Sequence, residues 1–232
     1  MTRMVISSFY YTLINSEESI ETSTMLEIDR IRSKNILFTI ITNRHLKEIL
    51  YYNRDFPFID YVISLNGAHV YDLTNNKCII ENHLDKNIVS KIKKLFPNNK
   101  IIYYTEENEF EEQPNEKVLK IEIEVSKKEL KLINNLKQEN IYTSILKYDN
   151  KYYIEITKNS IEESIIKLLN KLKINKSEVV SIIGNESEKD IINLIEKTYV
   201  VSNAPKELKL LANNKTKSND KKGVEQVLKI IK

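Results

Sequence analysis

Apolar residues along this chain fall into two alternating kinds of run. Short continuous stretches at 4–9 (MVISSF) and 35–42 (NILFTIIT) predict strands buried on both faces, because a strand covered on one face only would alternate apolar with polar. The segments that follow them, 19–34 and 43–56, carry apolar residues at three- and four-residue spacings, which predicts helices with one buried face. The segment 59–73 predicts two strands joined at Asn66-Gly67, since an Asn-Gly pair between apolar runs readily supplies the positive φ angles of a tight turn. From 75 to 156 the texture changes. A helix at 86–96, a strand at 100–105, an acidic loop at 106–116, a strand at 118–125, a helix at 126–138 and strands at 141–149 and 151–157 make an α+β unit. Its alternating VLKIEIEV segment suits an antiparallel sheet covered on one side. The alternation of helix and strand then returns, with helices at 160–173, 188–197, 205–213 and 222–232 and strands at 178–184 and 198–203. The predicted fold class is α/β: a three-layer Rossmann-like core with a mostly parallel sheet, built from residues 1–74 and 157–232, with an α+β domain inserted at 75–156.

Ligands of open α/β sheets sit beyond the carboxyl ends of the strands. Here those ends hold Ser8 to Thr12, Thr42 to Arg44, Asn66-Gly67, Gly184-Asn185 and Ser202-Asn203.

Composition narrows the classes of partner. Lysine and arginine total 36 against 33 aspartate and glutamate, a net charge of +3, too balanced to suggest nucleic acid or a membrane surface. Cys78 is the single cysteine, so no internal disulfide or cysteine-based metal site is expected. With no leader-like segment and no apolar run approaching the roughly 18 residues of a membrane span, a cytoplasmic location is expected. Only three glycines occur, Gly67, Gly184 and Gly223, which makes each position informative.

The strand ends, in order, resemble the haloacid-dehalogenase-like phosphatases, and specifically the Cof-type branch, which carries a large α/β cap. The family's first motif, Asp-x-Asp-Gly-Thr-Leu, aligns with SFYYTL at Ser8 to Leu13. Its second, a strand ending Thr-Gly-Arg, aligns with Thr42-Asn43-Arg44. The Asn-Gly-Ala turn follows at Asn66 to Ala68. The closing pattern of strand, Gly-Asn-Ala, lysine-rich helix, Ser-Asn, acid and Gly-Val aligns with VVSNAPKELKLLA and SNDKKGV. All three glycines fall where the family uses glycine, and the likeness spans nearly the whole chain.

The resemblance implies a Mg²⁺-dependent phosphatase, yet the positions that would perform the chemistry are substituted. The family's first aspartate attacks phosphorus and holds the metal, and its second exchanges a proton with the leaving group; here they are Ser8 and Tyr10. A serine needs an adjacent base, and His45, His69 and His83 all lie elsewhere in the sequence. A tyrosine, with an ordinary pKa of about 10, is poorly matched to proton transfer near neutrality. Tyr11 stands where the family has glycine. The third-motif lysine aligns with Glu162 or Glu163, Lys158 lying slightly upstream, and the fourth-motif acids with Asn185 and a displaced Asp190. The metal expectation is therefore none, or Mg²⁺ if the protein is active after all, with Asp190 as the residual ligand. Hydroxyl, amide and guanidinium donors persist on the phosphate side: Thr12, Thr42, Asn43, Arg44, Asn66 and Asn203.

Three functions fit this pattern. The first is an inactive relative that binds a small phosphorylated metabolite, or a protein, in the old cleft. The second is a working phosphatase with a metal site rebuilt from Asp190, Glu186 or Glu188. The third is a structural or interaction protein. The acidic loop at 106–116 is expected to be a solvated edge.

Overall fold

The computed structural model describes residues 1–54, 57–136, 139–148 and 150–232. Strands β1 (Met4–Ser8), β2 (Leu37–Ile41), β3 (Tyr61–Ser64), β4 (His69–Asp72), β5 (Lys77–Glu81), β11 (Val179–Ile183), β12 (Lys197–Val201) and β13 (Asn214–Thr216) form one sheet. Its order is β13-β12-β11-β1-β2-β3-β4-β5. Neighbours from β13 through β3 are parallel, and β4 and β5 add antiparallel pairs. The intervening β6 (Ile101–Tyr104), β7 (Glu109–Phe110), β8 (Lys120–Val125), β9 (Tyr142–Tyr148) and β10 (Lys151–Thr157) form a second, wholly antiparallel sheet in the order β7-β6-β8-β10-β9.

β1 is buried at every position, as expected of a central strand covered by helices on both faces. α1 (Thr22–Arg32), α2 (Leu46–Asn53), α4 (Ile161–Leu172), α5 (Ile191–Leu194), α6 (Lys206–Leu211) and α7 (Gly223–Ile230) accompany this sheet, and α3 (Lys86–Leu95) the other. Each sheet has its own apolar core: Ile6, Phe38, Ile40, Ile165 and Leu228 in the first, Ile92, Phe96, Ile121, Ile123 and Ile154 in the second. A third, small cluster of Leu65, Ala68, Tyr104 and Leu119 joins the Asn-Gly turn to the inserted sheet.

The α/β class and parallel sheet are as expected. Strand pairing of the large sheet continues past residue 74, because β5 hydrogen-bonds to β4 there, so 77–81 belong to that sheet rather than to the inserted one. The helix expected at 126–138 is a 3₁₀ segment, Glu129–Leu136, and that expected at 188–197 shortens to α5. Residues 55–56, 137–138 and 149, at the ends of a predicted helix, another helix and a strand, lie outside the described residues. Among the described residues no helix is long and apolar enough to cross a membrane.

Candidate functional site

Beyond Ser8 the chain coils through Phe9–Leu13 with two non-helical residues, Tyr10 extended and Tyr11 left-handed at φ 59°. Outside glycine, that left-handed geometry costs roughly 1–2 kcal/mol. Asparagine side chains hold the loop by its carbonyls: Asn203 Nδ2 donates to Tyr11 O at 2.8 Å, Asn185 Nδ2 to Tyr10 O at 3.4 Å and Asn219 Nδ2 to Ile14 O at 2.9 Å. Asn203, a candidate phosphate donor, thus spends its amide on the backbone.

Ser8 is wholly buried, and its hydroxyl donates to Glu188 Oε2 at 2.5 Å. Glu188 ends a 3₁₀ turn, Glu186–Glu188, whose capping box with Asn185 turns the carboxylate back onto the strand end. It also accepts from Gly184 N at 3.3 Å, Asn185 N at 3.1 Å and Asn185 Nδ2 at 3.2 Å. Burial pushes its carboxyl pKa up, against the lowering effect of these bonds. Tyr10 points its hydroxyl elsewhere, donating to Glu48 Oε2 on α2 at 3.1 Å; burial and the Glu48 charge raise its pKa to about 12. Arg44 lies 5.6 Å over the Tyr10 ring and 4.0 Å from Glu48.

Thr12 is buried beneath Gly184, and among the described residues its hydroxyl has no hydrogen-bond partner. Thr42 Oγ1 accepts from Arg44 N at 3.1 Å and caps the strand end, while Arg44 itself is exposed. Asn66 Nδ2 donates to Glu155 Oε2 at 2.6 Å, and Asn43 contributes its carbonyl to Lys120 Nζ at 3.0 Å. Both partners come from the inserted sheet. Lys120 and Glu155 are each 1 % exposed and pair at 3.1 Å; Lys120 Nζ also sits 4.0 Å over the Tyr104 ring, and Glu155 accepts from Ser144 Oγ at 3.0 Å. This buried pair holds the inserted sheet to the Asn-Gly turn and to the end of β2.

Of the two aligned glutamates, Glu163 is exposed and Glu162 turns inward, its Oε1 buried without a hydrogen-bond partner among the described residues. Burial, then the Asp190 charge, raises the Glu162 pKa, and both acids help burial raise Tyr142 of β9 to about 12. Lys158 is drawn away to Asp85 at 2.7 Å. A surface hollow of about 420 Å³ between Lys176, Ile192, Glu196 and Asn213 opens at the amino ends of β11 to β13, away from these groups.

The acidic loop is solvated but not free of the core. Lys47 Nζ donates to Glu107 O at 2.8 Å, Glu106 lies 4.0 Å from His69 Nε2, and Glu109 lies 3.7 Å from His45 Nε2. His45 is fully buried, and among the described residues neither ring nitrogen makes a well-formed hydrogen bond; burial, then Lys47, pushes its pKa down from 6.5 to about 4, against the opposing pull of Glu48 and the nearby Glu106 backbone. The folded protein therefore keeps His45 neutral while the unfolded chain takes up a proton below pH 6.5. Stability should fall as pH drops from about 6.5 to about 4, by on the order of 3 kcal/mol from this group. Urea unfolding at pH 7 and pH 4 checks this: His45→Gln should lose less stability over that interval than the wild type.

The donor set does not fit Mg²⁺. That ion needs near-octahedral oxygens anchored by carboxylates, whereas Ser8 is neutral, Tyr10 faces Glu48 and the Glu188 oxygens are already bound. Among the described residues no three His, Cys, Asp or Glu side chains converge as a metal group.

Comparison with known proteins agrees with the architecture. Two Buchnera aphidicola proteins named "Putative phosphatase" are similar. The one from the Schizaphis graminum strain is 34% identical over 95 residues, covering 41% of this chain and 34% of its own length. The one from the Acyrthosiphon pisum strain is 26% identical over 187 residues, covering 80% and 63%. The chain thus spans less than two thirds of either relative. A phosphatase of the haloalkanoate superfamily from Bacteroides thetaiotaomicron superposes with a TM-score of 0.87 at 14% identity, over 99% of this chain and 94% of that one. A profile of haloacid dehalogenase-like hydrolases matches residues 11–109 and 96–228, and with the parallel sheet and the inserted antiparallel sheet in place, the chain belongs to the haloacid dehalogenase-like hydrolase family.

Proposed function

We propose that this protein is a family member that does not turn over phosphate esters by the aspartate and Mg²⁺ route, and that it binds a small phosphorylated metabolite with the donors that remain. The inserted sheet serves as its cap. One observation carries the reading: at the nucleophile position a neutral hydroxyl is consumed by buried Glu188, while the acid/base position faces α2. Among the described residues, the hydroxyls of Thr12 and Thr42 donate to no partner and the Asn43 side-chain amide is not drawn into the cap, since Lys120 takes its main-chain carbonyl; with exposed Arg44 these are the anion donors left uncommitted. Asn66 and Asn203 serve the fold.

The test is hydrolysis of p-nitrophenyl phosphate and sugar phosphates with and without Mg²⁺. The wild type should stay at background, and a phosphorylated compound should raise its melting temperature in a way that Arg44→Ala abolishes. Metal-dependent turnover by the wild type would sink the reading.

The same contact favours one alternative, because a hydroxyl bound to a carboxylate is the arrangement of an activated nucleophile. Turnover that survives EDTA and disappears in Glu188→Gln would establish it.

A further inference from the structure

We infer that the Ser8–Glu188 hydrogen bond takes the place of the cation at this strand end, so that β1 and β11 are tied together by the chain itself and the site has no divalent-ion dependence.

β1 and β11 are adjacent and parallel, with Ser7 opposite Ile182, so the groups that follow them meet at one spot. Two carboxylates meeting there repel unless a cation lies between them or one of them takes up a proton. With Ser8 in place of the first, the hydroxyl can donate directly to the second.

Most of the remaining capacity of Glu188 is also taken, Oε2 fully and Oε1 by one bond. An ionised carboxylate offers about four lone-pair sites. Ser8 Oγ, Gly184 N and Asn185 N converge on Oε2, and Asn185 Nδ2 binds Oε1. Both side chains are buried, Ser8 at 0 % and Glu188 at 3 % exposure, which shuts out the waters a bound Mg²⁺ usually keeps. The capping box holds this orientation, since the same carboxylate accepts the backbone N–H of Asn185.

The test reads thermal unfolding without substrate, so its failure is separate from that of the turnover assay. The wild-type melting temperature should be the same in EDTA and in millimolar MgCl₂. Ser8→Asp places a second carboxylate against Glu188 and should melt lower in EDTA by on the order of 5–10 °C, recovering at least half of that with Mg²⁺. Ser8→Asn, neutral and of similar size to aspartate, should melt lower without responding to Mg²⁺. A Mg²⁺-dependent rise in the wild type that Glu188→Gln removes would overturn the inference, as would a Ser8→Asp protein indifferent to Mg²⁺. Should Ser8→Asp not fold, Mn²⁺ titration of the wild type followed by electron paramagnetic resonance decides: an undiminished free-ion signal supports the inference, and uptake abolished by Glu188→Gln refutes it.

Discussion

Glu155→Ala should lower the unfolding free energy by about 3–5 kcal/mol, because it strips the partner from a cation that has no route to water. Lys120 is 1 % exposed, and without Glu155 its ammonium keeps the Asn43 carbonyl at 3.0 Å, the Tyr104 ring and a more distant Glu122 at 3.7 Å. The Asn66 amide and the Ser144 hydroxyl lose their acceptor in the same change. Replacing both charges with apolar residues of similar volume removes the cost of burying them as well as their attraction, so Lys120→Met/Glu155→Leu should lie well above Glu155→Ala in stability. Urea unfolding of the single and double variants measures this. A double variant no more stable than Glu155→Ala would show that the pair's worth lies in its contacts to Asn43 and Asn66 and not in paired charge.

Gly67→Ala should also be severe, costing about 2–4 kcal/mol, for a backbone reason. Gly67 has φ +93°, and an added Cβ would lie 2.6 Å from Ser160 O and 2.9 Å from Ile161 Cα. These are main-chain atoms at the start of α4, and they cannot swing aside as a side-chain tip can. The approach is pinned from the other side as well, since Gly67 O accepts from Asn159 Nδ2 at 3.0 Å and from Ser164 Oγ at 2.6 Å. A melting temperature within a degree or two of the wild type would mean that the turn relaxes without moving α4.

The alternation of apolar runs was enough to read the parallel sheet and the interruption in it, because burial on two faces or one is written locally into each strand. Shorter elements were not legible. β7 has two residues and β13 three, too few for a period, and β5 carries only Cys78, Ile79 and Ile80 as its apolar run; each is a strand because a neighbour supplies the ladder. The substitutions at Ser8, Tyr10, Glu162 and Asn185 could be read outright, since alignment to a motif asks only for residue identity. It was also legible that no histidine stands near Ser8 in sequence.

What the residues do instead was decided by tertiary structure. Ser8 and Glu188 are 180 positions apart, and Asn66 and Glu155 are 89 apart, so no spacing in the chain announces either contact. Glu162 was separated from Glu163 only by the direction in which α4 presents its first turn to the interior. The sequence by itself determined the family, the α/β architecture and the loss of the family's charged groups, all properties carried by residue type and local period. Only the folded chain decided that a glutamate from beyond β11 fills the space beside Ser8, and that Asn66 is held by the inserted sheet. Those outcomes depend on which groups burial forces together, where every polar atom must find a partner nearby in space, however distant along the chain.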